Sequence, residues 1–142
     1  MIEERSAGVI LFNKTDGIQF LILKYPSGHW DFVKGNIEEG EREKETVRRE
    51  LFEETGISNL EIHQGFNEKV EYNYYKKNSK VHKIVSYYLA ETNQKEVKLC
   101  SFLILFRMNR HNKERLLAFL LIYLHQRFRQ TQKQKLVLLG LY

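Results

Sequence analysis

Gly35-Asn36-Ile37-Glu38-Glu39-Gly40-Glu41, then seven residues, then Arg49-Glu50-Leu51-Phe52-Glu53-Glu54-Thr55-Gly56-Ile57: on this stretch the reading of the chain turns. Residues 41–55 carry a helical pattern, and Gly56 supplies the left-handed stop that closes it. At 3.6 residues per turn Val47, Leu51 and Thr55 fall in one stripe, with Phe52 on its flank. Glu50, Glu53 and Glu54 occupy the adjoining sector, about 100° wide. Carboxylates at i,i+3 and i,i+4 repel and weaken an isolated helix. A hard divalent cation with oxygen ligands offsets that cost. The helix can bury one edge on a sheet and aim its acids into a cleft beside it.

Outward from the helix the pattern changes to strands. Residues 6–12 read as a buried strand, Thr15-Asp16-Gly17 as a turn, and 18–24 as a strand pairing back. Pro26-Ser27-Gly28 marks a turn, 29–33 a short extended piece and 34–40 a loop. Beyond the helix, 59–66, 69–75 and 81–90 read as strands, with 76–80 as a hairpin loop. Strands on both sides of one helix imply an α/β (α+β) sandwich with a mixed sheet. In the tail, 102–106 reads as a strand and 112–129 as a helix with a broad apolar face; 136–142 is apolar again.

The chain has 142 residues, enough for a single domain over 1–142. One cysteine, Cys100, excludes an intrachain disulfide and fits a reducing, cytoplasmic setting. The N-terminus lacks a signal-peptide pattern, and the longest apolar run, Leu116 to Leu124, is too short to span a bilayer. The net charge of +5 suggests nucleic acid until it is located. From Leu99 to Tyr142 there are eight Lys or Arg and one acid, Glu114; residues 1–98 hold 15 against 17. The basicity belongs to the tail, so no stable nucleic-acid complex is expected, and the tail is the part that could meet a partner.

The glycine, the acid six residues on, and the Arg-Glu-Leu-Phe-Glu-Glu-Thr-Gly-Ile run match the Nudix box at every position. Over residues 1–98 the chain resembles a Nudix core, an α/β/α sandwich with a mixed sheet. The resemblance implies Mg²⁺- or Mn²⁺-dependent hydrolysis of a nucleoside diphosphate linked to another group. It implies that Glu50, Glu53, Glu54 and the Gly35 carbonyl are metal ligands. It implies that Glu53 and Glu50, with Arg49, are catalytic, and that one of the three glutamates acts as base. Arg49 would hold a carboxylate by a bidentate pair, and Glu41 resembles the supporting acid. Two rival motifs fail. Gly35 and Gly40 have Walker-A spacing, but Glu41 stands where lysine is required, and no His-Glu-x-x-His occurs.

Outside the box the chain is most similar to the dinucleoside tetraphosphate (Ap4A) hydrolase type. Residues 6–12 resemble the first strand of that type. Trp30-Asp31-Phe32-Val33-Lys34-Gly35-Asn36 resembles its Trp-x-x-Pro-Lys-Gly-His, with Val33 for Pro and Asn36 for His. Lys83-Ile84-Val85-Ser86-Tyr87-Tyr88-Leu89-Ala90 resembles its Lys-x-Val-x-Tyr-Trp-Leu-Ala. By that match Lys83 and Lys34 contact the phosphate chain. Of Tyr72, Tyr74 and Tyr75, Tyr74 is the choice for stacking on the base. An NTP or RNA 5′-end pyrophosphohydrolase is the alternative within the class.

The pattern breaks after Leu99. The downstream acid of the family is absent, since no Asp or Glu occurs from Val97 to Lys113. This sets a catalytically weak domain that binds nucleotide or a protein partner beside the enzyme reading. The tail, 99–142, is either divergent, with 112–129 still packed on the sheet, or the product of a shifted reading frame. A basic helix for a membrane surface or partner ranks below core packing, because Leu116, Leu117, Leu120, Leu121 and Leu124 form a stripe a sheet could cover.

Overall fold

The computed structural model describes residues 1–26, 28–99 and, as a strand only, 104–109. Its elements are β1 (Ile2–Asn13), β2 (Gln19–Lys24), β3 (Trp30–Asp31), β4 (Val33–Asn36), α1 (Glu43–Thr55), β5 (Glu61–Lys76), β6 (Ser79–Glu91) and β7 (Ile104–Asn109). The seven strands form one sheet of order β3-β2-β1-β6-β5, with β4 paired to β1 and β7 to β2. β1 and β6 run parallel and the other pairs antiparallel, so the sheet is mixed. The expected helix at 112–129 and the apolar segment 136–142 lie outside the described residues.

Alternation along the strands gives the sheet two faces. Ala7, Val9 and Leu11 of β1 pack with Val33, Leu21 and Leu23 against Val47 and Leu51 of α1. On the opposite face Ile22, Phe32, Tyr72, Val85 and Tyr87 form a second cluster, joined by Ile10, Trp30 and Tyr74. The helix is therefore held by one stripe, Thr46, Val47, Leu51 and Thr55, all buried. Phe52, placed beside that stripe from the sequence, is 58% exposed, because it sits one step round the helix from Leu51 and meets no sheet.

Several boundaries move. α1 begins at Glu43 rather than 41, after a non-helical Arg42 whose N–H donates to Glu45 Oε2 at 2.8 Å. Gly56 closes it at φ 70°, its N–H donating to the Phe52 carbonyl at 2.8 Å, and Lys98 N–H caps the Thr55 carbonyl at 2.8 Å. Residues 34–36, expected in a loop, pair with β1 in the register Ser6↔Asn36, Ala7↔Gly35 and Gly8↔Lys34. The two strands expected at 59–66 and 69–75 are one strand, β5, whose register shifts between Ile62 and Asn67. The hairpin loop shrinks to Lys77 and Asn78, both at positive φ. A tail strand is present along β2 at 104–109; residues 102 and 103 of the expected strand lie outside the described residues.

Candidate active site

The site is built around β4. Lys34 and Asn36 lie on the face of the Tyr87 cluster, and Gly35 between them faces α1. A Cβ at Gly35 would stand 1.8 Å from both Cδ and Oε1 of Glu50. The Glu50 carboxylate thus rests directly on the β4 main chain, and only glycine leaves it room. This gives the glycine of the motif a steric reason, and it puts a carboxylate beside a backbone carbonyl strand.

Arg49 ties the acids together. Its Nε donates to Glu41 Oε1 at 2.7 Å and its Nη2 to Glu41 Oε2 at 3.0 Å, the bidentate pair expected from the sequence. Its Nη1 donates to Glu50 Oε1 at 2.7 Å and to Glu53 Oε2 at 3.4 Å. Nη2 also reaches the Asn36 carbonyl at 3.0 Å, fixing the helix to β4. The buried Thr46 hydroxyl donates to Glu41 Oε2 at 2.6 Å. The hydrogen bonds from Arg49 and then Thr46 hold the Glu41 carboxyl down at about 2.

Glu54 sits apart from this group. Its carboxylate accepts the Tyr25 hydroxyl at 2.9 Å. Burial pushes its carboxyl up to about 7, the charges of Glu50 and Asp31 push the same way, and Tyr25 and Lys34 oppose. Lys34 pairs with the fully buried Asp31, which also accepts the Tyr87 hydroxyl at 3.4 Å. Among the described residues no three His, Cys, Asp or Glu side chains stand together as a ready metal cage. Glu50 and Glu53 share Arg49, and Glu54 turns to Tyr25. The donor set still fits a hard cation. It is all oxygen, lies on one helix flank beside the β4 main chain, and holds a desolvated carboxyl beside further negative charge, which a cation would relieve.

On the other face of β4 two of the three expected substrate residues, Lys83 and Tyr74, come together through Glu4. Lys83 Nζ donates to Asn36 Oδ1 at 3.0 Å and lies 3.4 Å from Glu4 Oε2. Tyr74 donates its hydroxyl to Glu4 Oε2 at 2.6 Å, and its own pKa rises to about 12, first through burial and then through Glu4. Tyr72 packs in the cluster beside it, the two rings 6.2 Å apart, whereas Tyr75 is exposed on the opposite face. Lys34 pairs instead with Asp31, and its positive charge reaches Glu54.

Three residues were missed from the sequence. Glu4 joins Tyr74, Lys76 and Lys83, although nothing in the first strand marks it. Asn36 stands where the resemblance has histidine, and it bridges Ser6, Lys83 and, through its carbonyl, Arg49. Glu43, at the start of α1, takes hydrogen bonds from Ser86 at 2.9 Å and from Tyr88, clasping the helix to β6. The Glu43–Ser86 and Glu43–Tyr88 contacts were legible only once Ser86 and Tyr88 were known to face the helix.

A helix flank of acids locked by one arginine against a glycine strand defines a class of phosphate-handling hydrolases. The NUDIX domain model matches residues 3–130, and the chain belongs to the NUDIX family as a hydrolase. It is 38% identical over 106 residues to the bis(5′-nucleosyl)-tetraphosphatase [asymmetrical] of Rattus norvegicus, covering 67% of this chain and 69% of that one. An RNA pyrophosphohydrolase of Caulobacter vibrioides is 38% identical over 60 residues, 40% of this chain and 34% of that one. A C. elegans Ap4A hydrolase binary complex superposes with a TM-score of 0.66 at 27% identity, covering 87% of this chain and 98% of that one. Among the described residues no helix is long and apolar enough to cross a membrane.

Proposed function

We propose that the chain hydrolyses a bis(5′-nucleosyl)-tetraphosphate such as Ap4A to AMP and ATP. The observation that carries this is the paired geometry of β4. Box acids lie on one side of the strand, and a lysine-tyrosine cluster similar to that of the Ap4A hydrolase type lies on the other. Water adds to one phosphorus, the bridging P–O bond breaks, and the water proton passes to a carboxylate, with Glu53 and Glu50 the candidates. Glu50, Glu53, Glu54 and the Gly35 carbonyl would hold Mg²⁺ or Mn²⁺. Such a cation, when bound, supplies charge neutralisation at the phosphoryl oxygens and a more acidic water. Arg49 orients Glu50 and Glu53 while Glu41 holds Arg49. Lys83 and Lys34 offset the charge of the polyphosphate, and Tyr74 offers a ring for base stacking.

A panel of dinucleoside polyphosphates, nucleoside triphosphates and 5′-triphosphate RNA with Mg²⁺, run beside Glu53→Gln and Glu54→Gln, tests this. The expected result is fastest turnover of the tetraphosphate, lost by at least about 100-fold in either variant. No turnover of any of these by the intact chain removes the enzyme reading, and unchanged turnover in both variants removes the metal assignment. The likeness to the Caulobacter RNA pyrophosphohydrolase favours a second reading, removal of a 5′-terminal pyrophosphate from RNA. Faster turnover of the RNA in the same panel selects it.

A further inference from the structure

Among the described residues, Glu4 is the acid that joins Tyr74, Lys76 and Lys83. Its Oε2 accepts the Tyr74 hydroxyl at 2.6 Å and lies 3.4 Å from Lys83 Nζ, while its Oε1 accepts Lys76 Nζ at 3.2 Å. Two ammonium groups and a phenol converge on this carboxylate to form a seat, and each ammonium keeps a further N–H that a phosphate oxygen can share with it. Glu4 and Lys83 are register partners on parallel β1 and β6, so their closeness is fixed by the sheet rather than by flexible side chains. Both are largely covered, at 16% and 15% exposure, whereas Lys76 is at 62%. The Tyr74 hydrogen bond, against some burial, then Lys76 and Lys83, hold the Glu4 carboxyl below the usual range. The acid therefore stays ionised at neutral pH.

With Glu4 ionised the seat carries two positive charges and one negative, a net of one. An internal phosphate of a capped chain carries one negative charge, whereas a terminal phosphate carries between about 1.5 and 2 near neutral pH. We propose that Glu4 is a specificity residue: by cancelling one of the two ammonium charges it cuts the advantage that a doubly charged terminal phosphate would otherwise have over an internal, singly charged one. The inference rests on the reading of Lys83 and Tyr74 as substrate residues. It names the substrate class further: a polyphosphate capped at both ends. Glu4 acts by setting the charge: it repels both kinds of phosphate, and the terminal one more because its charge is larger.

The test compares ATP with a dinucleoside tetraphosphate, both bound in EDTA by titration calorimetry so that no turnover is needed. Glu4→Gln is expected to bind ATP about four- to tenfold tighter, with the capped ligand gaining only about two- to threefold. Lys76→Met, an exposed position, is expected to move the same ratio the other way. In turnover with Mg²⁺ the gain appears in KM for ATP with kcat unchanged. Equal changes for both ligands, or none, with the variant still folded by its melting temperature, overturn the proposal. A shifted binding ratio without turnover of any substrate leaves Glu4's role standing and removes the enzyme reading instead.

Discussion

Gly35→Ala separates the site from the fold. The added Cβ falls 1.8 Å from Cδ and Oε1 of Glu50 and 2.5 Å from its Cγ. Ordinary contact needs about 3.5 Å, so the carboxylate must retreat by roughly 2 Å. That movement breaks the 2.7 Å bond from Arg49 Nη1 to Glu50. Arg49 keeps its bidentate hold on Glu41 and its bond to the Asn36 carbonyl, so α1 stays anchored to β4. Losing one partly exposed charged hydrogen bond costs about 1 kcal/mol. Alanine returns about 0.4–1 kcal/mol through the unfolded chain, since Gly35 is not at positive φ. The net is about 0–1 kcal/mol, a fall in Tm of roughly 0–4 °C. Activity has no such compensation, because displaced ligands and their supports cost 10–100-fold or more. Calorimetric melting, turnover and Mn²⁺ affinity by electron paramagnetic resonance are the assays. In a Glu50→Ala background the same change is expected to do nothing further, since the clash is gone. Turnover and Mn²⁺ affinity within threefold of the parent would falsify the role given to the Glu50–Gly35 contact.

Arg49→Lys removes the fork that grips Glu41 and reaches Glu50 and Glu53 together, so kcat is expected to drop by about tenfold or more while a modest loss of Tm accompanies it; an unchanged kcat refutes the orienting role. Glu41, held at about 2 in the folded chain against about 4.3 unfolded, contributes stability that is fully present above about pH 4.5 and is lost as pH falls toward 2. Glu41→Gln should accordingly flatten the decline of Tm between pH 5 and 3, and a parallel pair of pH curves counts against it. Lys77 sits at φ 47° and Asn78 at φ 64° in the two-residue hairpin, so Lys77→Gly should raise stability by about 0.5–1 kcal/mol in urea titration, and a lowered midpoint refutes the strain at that turn.

The box helix was the most legible part because three independent signals agree there. Val47, Leu51 and Thr55 keep the helical period, Gly56 gives the stop, and the resemblance implies the bidentate pair that Arg49 makes with Glu41. Its start was misjudged because Arg42 is no ordinary N-cap and the turn is closed from Glu45 instead. β4 was read as loop because four residues are too few to show a period, and Lys34-Gly35-Asn36 has poor strand propensity. Pairing with β1 overrides that preference. The merging of two strands into β5 was hidden by the polar Asn67-Glu68, which reads locally as a break, whereas the irregularity in the pairing lies just before it, between Ile62 and Asn67, where Gly65 stands at φ 85°. Glu4 and the contacts of Asn36 were not legible because their partners are distant in sequence, and only the parallel β1–β6 register brings Glu4 to Lys83.

β4 explains why such a short strand matters. A bound polyphosphate needs acids for a cation and bases for its own charge, yet the two must not neutralise each other. Alternation along β4 supplies the separation: Gly35 faces Glu50 while Lys34 and Asn36 face the other side. Among the described strands β4 pairs with β1 alone, so α1 can reach across its far edge through Arg49 to the Asn36 carbonyl. One peptide carbonyl and one side chain of Asn36 thus connect the acid side to Lys83. A register slip of a single residue would exchange the faces and put Lys34 where Glu50 now rests. The four pairs from Ser6↔Asn36 to Val9↔Val33 prevent this, with Val33 buried in the helix-side core as the pin. The valine that stands where the resemblance has proline therefore keeps the register through packing.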